Sequence, residues 1–195
     1  MSLDADRERL LELLRTLSFE RRKVVLASGK ESDFYIDCKR TALTAEGHVL
    51  VGRLLFDRVR RIAPLVRGVG GLTLGADPIA SAIAYTSFLE HERSGGAHPP
   101  APIDSFIVRK EPKGHGTGQW IEGRKTIPDG SRVAVLEDVV TSGGSAKKAI
   151  DRCREEGLVV VGCFALVDRM EGGREAIEAL GVPLEALYTR KDFLP

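Results

Sequence analysis

At 195 residues, with 43% hydrophobic and 29% charged side chains, the chain has the size and make-up of one ordinary globular domain with a sizeable core. A formal net charge of +1 argues against a bulk electrostatic attraction to nucleic acid, and no run approaches the roughly 20 apolar residues of a membrane helix. The three cysteines, Cys38, Cys153 and Cys163, are widely spaced, which fits buried thiols in a reducing, cytoplasmic setting rather than a disulfide framework.

In chain order, leucines at 3, 10, 11, 13, 14 and 17 predict a helix over residues 3–17, charged throughout and without the apolar core of a secretion signal. Residues 24–26 and 34–37 read as short strands about the turn Ser28-Gly29-Lys30. Thr44 is placed to cap a helix over 44–62. Residues 66–69 read as a buried strand ending in Gly70-Gly71, and Asp77-Pro78 as the cap and first position of a helix to about His91. Strands are expected at 105–108, 132–136, 159–167 and 184–188, with helices at 146–156 and 171–180 stopped by Gly157 and Gly181. From residue 44 onward strands and helices alternate, the pattern of a parallel, doubly wound α/β sheet flanked by helices. A core over about 44–168 is expected, with residues 1–40 and 170–195 forming a small hood on the same single domain.

The most informative stretch is residues 133–145, Val-Ala-Val-Leu-Glu-Asp-Val-Val-Thr-Ser-Gly-Gly-Ser. An apolar strand ends in two carboxylates, then a loop of small residues runs straight into a helix. Backbone N–H groups of such a loop and the positive end of the helix can hold a phosphate. Glu137 and Asp138 sit at the strand end, where α/β sheets bind ligands. They can accept hydrogen bonds from sugar hydroxyls or act on a metal that bridges to phosphates. The stretch is neither a Walker A loop nor a dinucleotide fingerprint; the nearest approach to the former, Gly118 to Lys125, has Arg124 where lysine belongs.

A second constellation follows the strand at 105–108. Arg109, Lys110, Lys113 and His115 are interleaved with Gly114, Gly116 and Gly118. Glycine spacing of this kind disfavours a stable helix and suits a lid that closes its cations over phosphates. Trp120 is expected to anchor the return of this loop. His48, His91 and His98 lack metal-ligand spacing.

The 133–145 run resembles the phosphoribosyl diphosphate (PRPP) signature of type I phosphoribosyltransferases. Arg-Lys-x-x-Lys-x-His-Gly resembles the catalytic loop of the orotate phosphoribosyltransferases within that family. Residues 26–37, 70–80 (Gly-Gly-Leu-Thr-Leu-Gly-Ala-Asp-Pro-Ile-Ala) and 166–169 (Leu-Val-Asp-Arg) are similar to that family's orotate-side strand, pyrophosphate-side turn and strand-end arginine. The resemblance spans residues 20–173 or so. It implies a magnesium-dependent transfer of phosphoribosyl from PRPP to orotate, giving orotidine 5′-monophosphate and pyrophosphate, in pyrimidine (UMP) biosynthesis.

It also implies roles. Thr141, Ser142, Gly143, Gly144 and Ser145 would form the 5′-phosphate cradle, with Thr141 also reaching orotate, and Val139 and Val140 would also contact PRPP. Glu137 and Asp138 would hold the ribose hydroxyls, directly or through the metal's water shell. Magnesium would be held chiefly through PRPP. Arg109, Lys110, Lys113 and His115 would meet the diphosphate, Lys113, His115 and Asp138 being the catalytic set, and Arg169 would bind orotate. The resemblance further implies a homodimer in which the lid crosses to the neighbouring site, with neither nucleic acid nor membrane as partner. Two positions depart from some family members: Ala27 stands where a lysine precedes the Ser-Gly turn, and Thr73-Leu74 where a Tyr-Lys pair occurs. Each removes a PRPP contact, for which Lys30 is the nearest replacement. The competing readings are a transferase for another base and a PRPP-binding regulator of nucleic acid without chemistry.

Overall fold

A computed structural model describes residues 2–25, 31–96, 101–112 and 118–194. The chain opens with α1 (Leu3–Leu13), whose first turn is capped by Ser2 accepting from Ala5 N at 3.3 Å. Leu10 and Leu14 of its apolar stripe are fully buried. The helix then widens into a π-helical turn, Leu14–Ser18, so the helix expected over 3–17 is two helical segments. β1 (Phe19–Val25) and β2 (Glu31–Ile36) form a separate antiparallel sheet. β1 starts five residues earlier than the apolar pattern suggested, because its charged stretch lies in a two-stranded sheet with a solvated face. Phe19 and Phe34 stack at 5.0 Å between centroids, and Phe193 closes on both at 5.6 Å. Pairs of this kind add about 0.5–1.5 kcal/mol each beyond area burial. They join the N-terminal strands to the C-terminus.

A short helix that the sequence pattern did not reveal, α2 (Lys39–Ala42), follows β2. α3 (Ala45–Ile62) begins where expected, with Thr44 Oγ1 accepting from Gly47 N at 3.0 Å. β3 (Gly68–Leu72) lies later than predicted and runs through the two glycines instead of ending at them. Both face carbonyls so closely, Phe106 O at Gly70 and Leu136 O at Gly71, that a Cβ would not fit. α4 (Asp77–Arg93) starts one residue early: Ala76 is its cap and Asp77 its first residue. β4 (Asp104–Val108) pairs with the two-residue antiparallel β5 (Ile121–Glu122).

β6 (Arg132–Val140), α5 (Gly144–Glu155), β7 (Val159–Asp168), α6 (Gly173–Glu178) and β8 (Leu184–Thr189) complete the domain. The main sheet has the order β5-β4-β3-β6-β7-β8 and is parallel except for β5, a mostly parallel α/β sheet flanked by helices. From β3 the chain steps outward to β4, then returns to place β6 on the opposite side. The carboxyl ends of β3 and β6 therefore flank the point where strand order reverses, the crevice in which such sheets bind ligands.

Two apolar clusters fill the faces. One holds Leu136 with α3, α4 and the aromatic hood; the other holds Val135 with α5 and α6. Because strand side chains alternate, Asp138 falls on the first face and Glu137 on the second. All three cysteines are buried and unpaired. Among the described residues no helix is long and apolar enough to cross a membrane.

Candidate active site

β6 does not stop before the acid pair, as the apolar run suggested, but continues through it to Val140. Pairing with β7 holds this extension in register, Glu137 opposite Ala165 and Val140 opposite Asp168. The chain then turns at residues 141–143 and enters α5 at Gly144, two residues earlier than expected. Gly143 is the N-cap, at φ +78°, and no side chain caps the helix, so Ser145 stands inside the first turn. The N–H groups of that turn are thus left for a ligand. A cavity of about 290 Å³ opens there, lined by Glu137, residues 139–146 and Lys148. Gly143 is packed as well as twisted: a Cβ would lie 3.0 Å from Gly173 O and 3.3 Å from Ile177. Gly143→Ala is expected to cost about 1–2 kcal/mol of stability, the price of a left-handed residue, and to weaken inorganic phosphate binding, read by thermal denaturation and calorimetry.

The two acids have different surroundings. Glu137 is 7% exposed, and its Oε1 is buried with no hydrogen-bond partner. Desolvation, then the Asp138 charge, push its carboxyl up to about 8. Asp138 is also raised by desolvation, but the Lys39 ammonium and the N–H of Val139 oppose the rise. Val139 N donates to Asp138 Oδ1 at 2.9 Å, and Lys39 Nζ lies 3.7 Å from Oδ2. Gly75 packs close to the same carboxylate, where a Cβ would lie 2.5 Å from Oδ1. Gly75 belongs to the turn between β3 and α4, which Thr73 ties down by donating from Oγ1 to Asp77 Oδ2 at 2.6 Å. The sequence does not single out Lys39, and it marks Gly75 only as part of the residue 70–80 turn; that both touch Asp138 is set by the fold.

The root of the cationic loop is well defined. Arg109 N donates to Trp120 O at 2.9 Å, and Arg109 Nη1 pairs with Glu122 at 3.0 Å across the β4–β5 ladder. Arg109 thus serves the loop's base in this state. Lys110 lines a cavity of about 240 Å³ with Leu72, Arg109, Trp120, Lys148 and Arg152. The Arg152 guanidinium sits 3.6 Å above the Trp120 ring, so Trp120 fastens the returning segment to α5. Lys113 and His115 lie outside the described residues.

β7 ends at Asp168, which accepts from Met170 N at 2.8 Å and pairs with Arg174 at 3.3 Å. Arg169 follows, 7% exposed. Its Nη2 donates to Phe34 O at 2.9 Å and to Glu171 Oε1 at 3.0 Å, and its guanidinium lies 5.4 Å from the centre of the Phe34 ring. The arginine is therefore held between the main sheet and the hood, not on the open surface. Met170, at φ 58°, makes the sharp exit behind it.

These parts bring together the anion loop, the acid pair, the turn at Gly75 and the root of the lid around one sheet edge. Among the described residues no group of three or more His, Cys, Asp or Glu could hold a metal. Carboxylate oxygens at this strand end are of the hard kind that suits magnesium, but Glu137 and Asp138 lie on opposite faces of β6, so an ion here would take most of its ligands from substrate oxygens and water.

Residues 71–180 match the family model described as the phosphoribosyl transferase domain. A strand, acid pair, anion loop and helix at the switch point of such a sheet define a type I phosphoribosyltransferase. The chain is 50% identical to the orotate phosphoribosyltransferase of Sorangium cellulosum, over 98% of this chain and 94% of that one. It is 46% identical to that of Aquifex aeolicus, over 97% and 98%. The crystal structure of the Mycobacterium tuberculosis H37Rv orotate phosphoribosyltransferase in complex with PRPP superposes with a TM-score of 0.74 at 38% identity, covering 96% of this chain and 98% of that chain. The chain belongs to the orotate phosphoribosyltransferase family.

Proposed function

We propose that residues 1–195 act as a single phosphoribosyltransferase domain that joins orotate to the phosphoribosyl group of PRPP, forming orotidine 5′-monophosphate and pyrophosphate. The observation that carries this is the uncapped α5 N-terminus at the end of the acid-pair strand, opening into a cavity of about 290 Å³ at the switch point. Family membership across nearly the whole chain supports orotate as the base and pyrimidine biosynthesis as the setting.

In this reading the N–H groups of residues 141–145 hold the 5′-phosphate, with Val139 and Val140 shaping the approach. Glu137 and Asp138 accept from the ribose hydroxyls on the two faces of β6. A ring nitrogen of orotate bonds to the anomeric carbon as the bond to pyrophosphate breaks, through an oxocarbenium-like state comparable to other glycosyl transfers. Lys110, Lys113 and His115, with Arg109 at the base, neutralise the charge growing on pyrophosphate. Thr141 and Arg169 orient the base. Magnesium, when bound with PRPP by way of Glu137 and Asp138, supplies charge neutralisation to the diphosphate.

A homodimer with shared lids fits the exposed apolar residues Leu43, just after α2, Val49 on α3, Leu74 in the turn before α4, and Tyr85 and Phe88 on α4. Buried unpaired thiols suit a cytoplasmic enzyme.

The test is to follow orotate absorbance with PRPP and magnesium, with a magnesium-free control and a panel of other bases. Metal-dependent loss of orotate with release of pyrophosphate is expected; turnover of another base in its place overturns the assignment. Lys113→Ala should lower turnover by about 10²–10³-fold, as loss of one charge-stabilising donor does, with the thermal transition unchanged. Unaltered turnover removes Lys113 from the mechanism.

A further inference from the structure

The first face of β6 carries one contact that joins the hood to the acid pair. Lys39 is the first residue of α2, directly after the exit of β2. Its Nζ lies 2.6 Å from Asp37 Oδ1 and 3.7 Å from Asp138 Oδ2. Its backbone N–H also donates to Asp37 Oδ1, at 3.3 Å, so the residue is fixed at both ends. Asp37 is held in turn near Arg40, 3.9 Å away. Asp138 has its own strand N–H on one side and Gly75 on another, so Lys39 supplies the only cation within ion-pair distance of it among the described residues. Glu137, more deeply buried than Asp138, has no such partner.

From this geometry we propose that Lys39 is a positioning residue for the transfer reaction, clamping the Asp138 carboxylate in the orientation that receives the ribose of PRPP. The inference rests on the reading of the site given above, but its readout falls on PRPP and not on the base. The physical reason is plain. A carboxylate taken out of water with one hydrogen bond is poorly fixed and poorly solvated. An ammonium anchored by a second carboxylate restores both, and at 3.7 Å from Oδ2 it stands beyond hydrogen-bond distance, so that oxygen stays free to accept. Lys39 reaches the acid from α2, so it ties the segment that follows β2 to the end of β6. The burial of Asp138 and the opposing pull of Lys39 on its proton affinity accord with this.

A residue that merely stabilised the hood would disturb the base side of the reaction. Lys39→Gln, at a side chain 39% exposed, leaves the core intact. It is expected to raise the Kd for PRPP, measured by calorimetry, and to lower kcat/KM for PRPP by about tenfold, in the range of coupling between residues in contact. The KM for orotate should stay within about twofold, and Lys39→Arg should restore most of the loss. In an Asp138→Asn background the same Lys39→Gln change should cost less than about twofold, because a residue acting through Asp138 has nothing left to position. An equal loss in both backgrounds, a loss confined to the KM for orotate, or no change in PRPP affinity overturns the proposal. Should the unaltered protein bind PRPP but not use orotate, the assignment of the base fails while the calorimetric comparison still decides the role of Lys39.

Discussion

Replacing Arg169 with Ala should raise the KM for orotate by about thirtyfold or more and leave PRPP affinity within a factor of a few. The magnitude follows from removing one member of a buried, charge-assisted pair, which costs about 2–5 kcal/mol. Arg169 is 7% exposed, and its Nη2 is already engaged by Phe34 O and Glu171. That engagement fixes the planar guanidinium, whose fork suits a flat, carboxylate-bearing ring. Arg169→Lys separates charge from shape: a lysine keeps the cation, loses the fork, and should recover little of the orotate affinity. The Glu171 carboxylate loses its 3.0 Å partner in either variant and keeps Arg190 at 3.7 Å. A modest fall in melting temperature is therefore expected alongside the kinetic change. Steady-state kinetics with each substrate varied separately is the measurement. Unchanged orotate kinetics would show that Arg169 only joins hood to sheet.

The second large effect concerns Glu137 and pH. Its carboxyl is raised from 4.5 to about 8 by desolvation and by Asp138. A group with a raised folded-state pKa binds more protons when folded, so stability falls as pH rises through the interval between the two values. Relative to acid conditions, the loss should begin near pH 4.5, grow up to about pH 8 and then level off, reaching at most about 5 kcal/mol at 1.36 kcal/mol per unit. Glu137→Gln cannot ionise, and its stability should be nearly flat over that window. The amide carries its own burial cost at every pH, so the slope, not the absolute stability, is diagnostic. Urea denaturation at several pH values, in chelator to keep divalent cations away, measures it. Parallel slopes for the two proteins would mean that Glu137 is solvated and ionised in the fold. Turnover by Glu137→Gln should fall, since the group faces the phosphate cavity.

Much of the site is local, and local chemistry is legible. The acid pair, the small-residue loop and the following helix are contiguous, so one stretch of sequence carries strand, ligand edge and anion cradle together. Alternating strands and helices after residue 44 made the parallel sheet readable, and Thr44 capped its helix as its side chain dictates. Boundaries moved where packing overrode pattern. β3 runs through Gly70-Gly71 because neighbouring strands crowd those positions. β6 carries its two acids in strand conformation because β7 continues to pair with them. β1 is largely charged and shows no apolar alternation, but pairing with β2 makes it a strand all the same.

The class of sheet, the phosphate loop, the acid pair, the cationic segment and the arginine after β7 are each written in neighbouring residues whose spacing suits a chemical task. Folding in three dimensions set which face each acid occupies, that Asp138 meets Lys39 and Gly75 while Glu137 Oε1 has no hydrogen-bond partner among the described residues, that Arg109 pairs with Glu122, and that Arg169 is clasped by Phe34 and Glu171. The physical reason is that these contacts join segments far apart in the chain. Strand order and helix packing place them together, and no local pattern of residues encodes a distance between them.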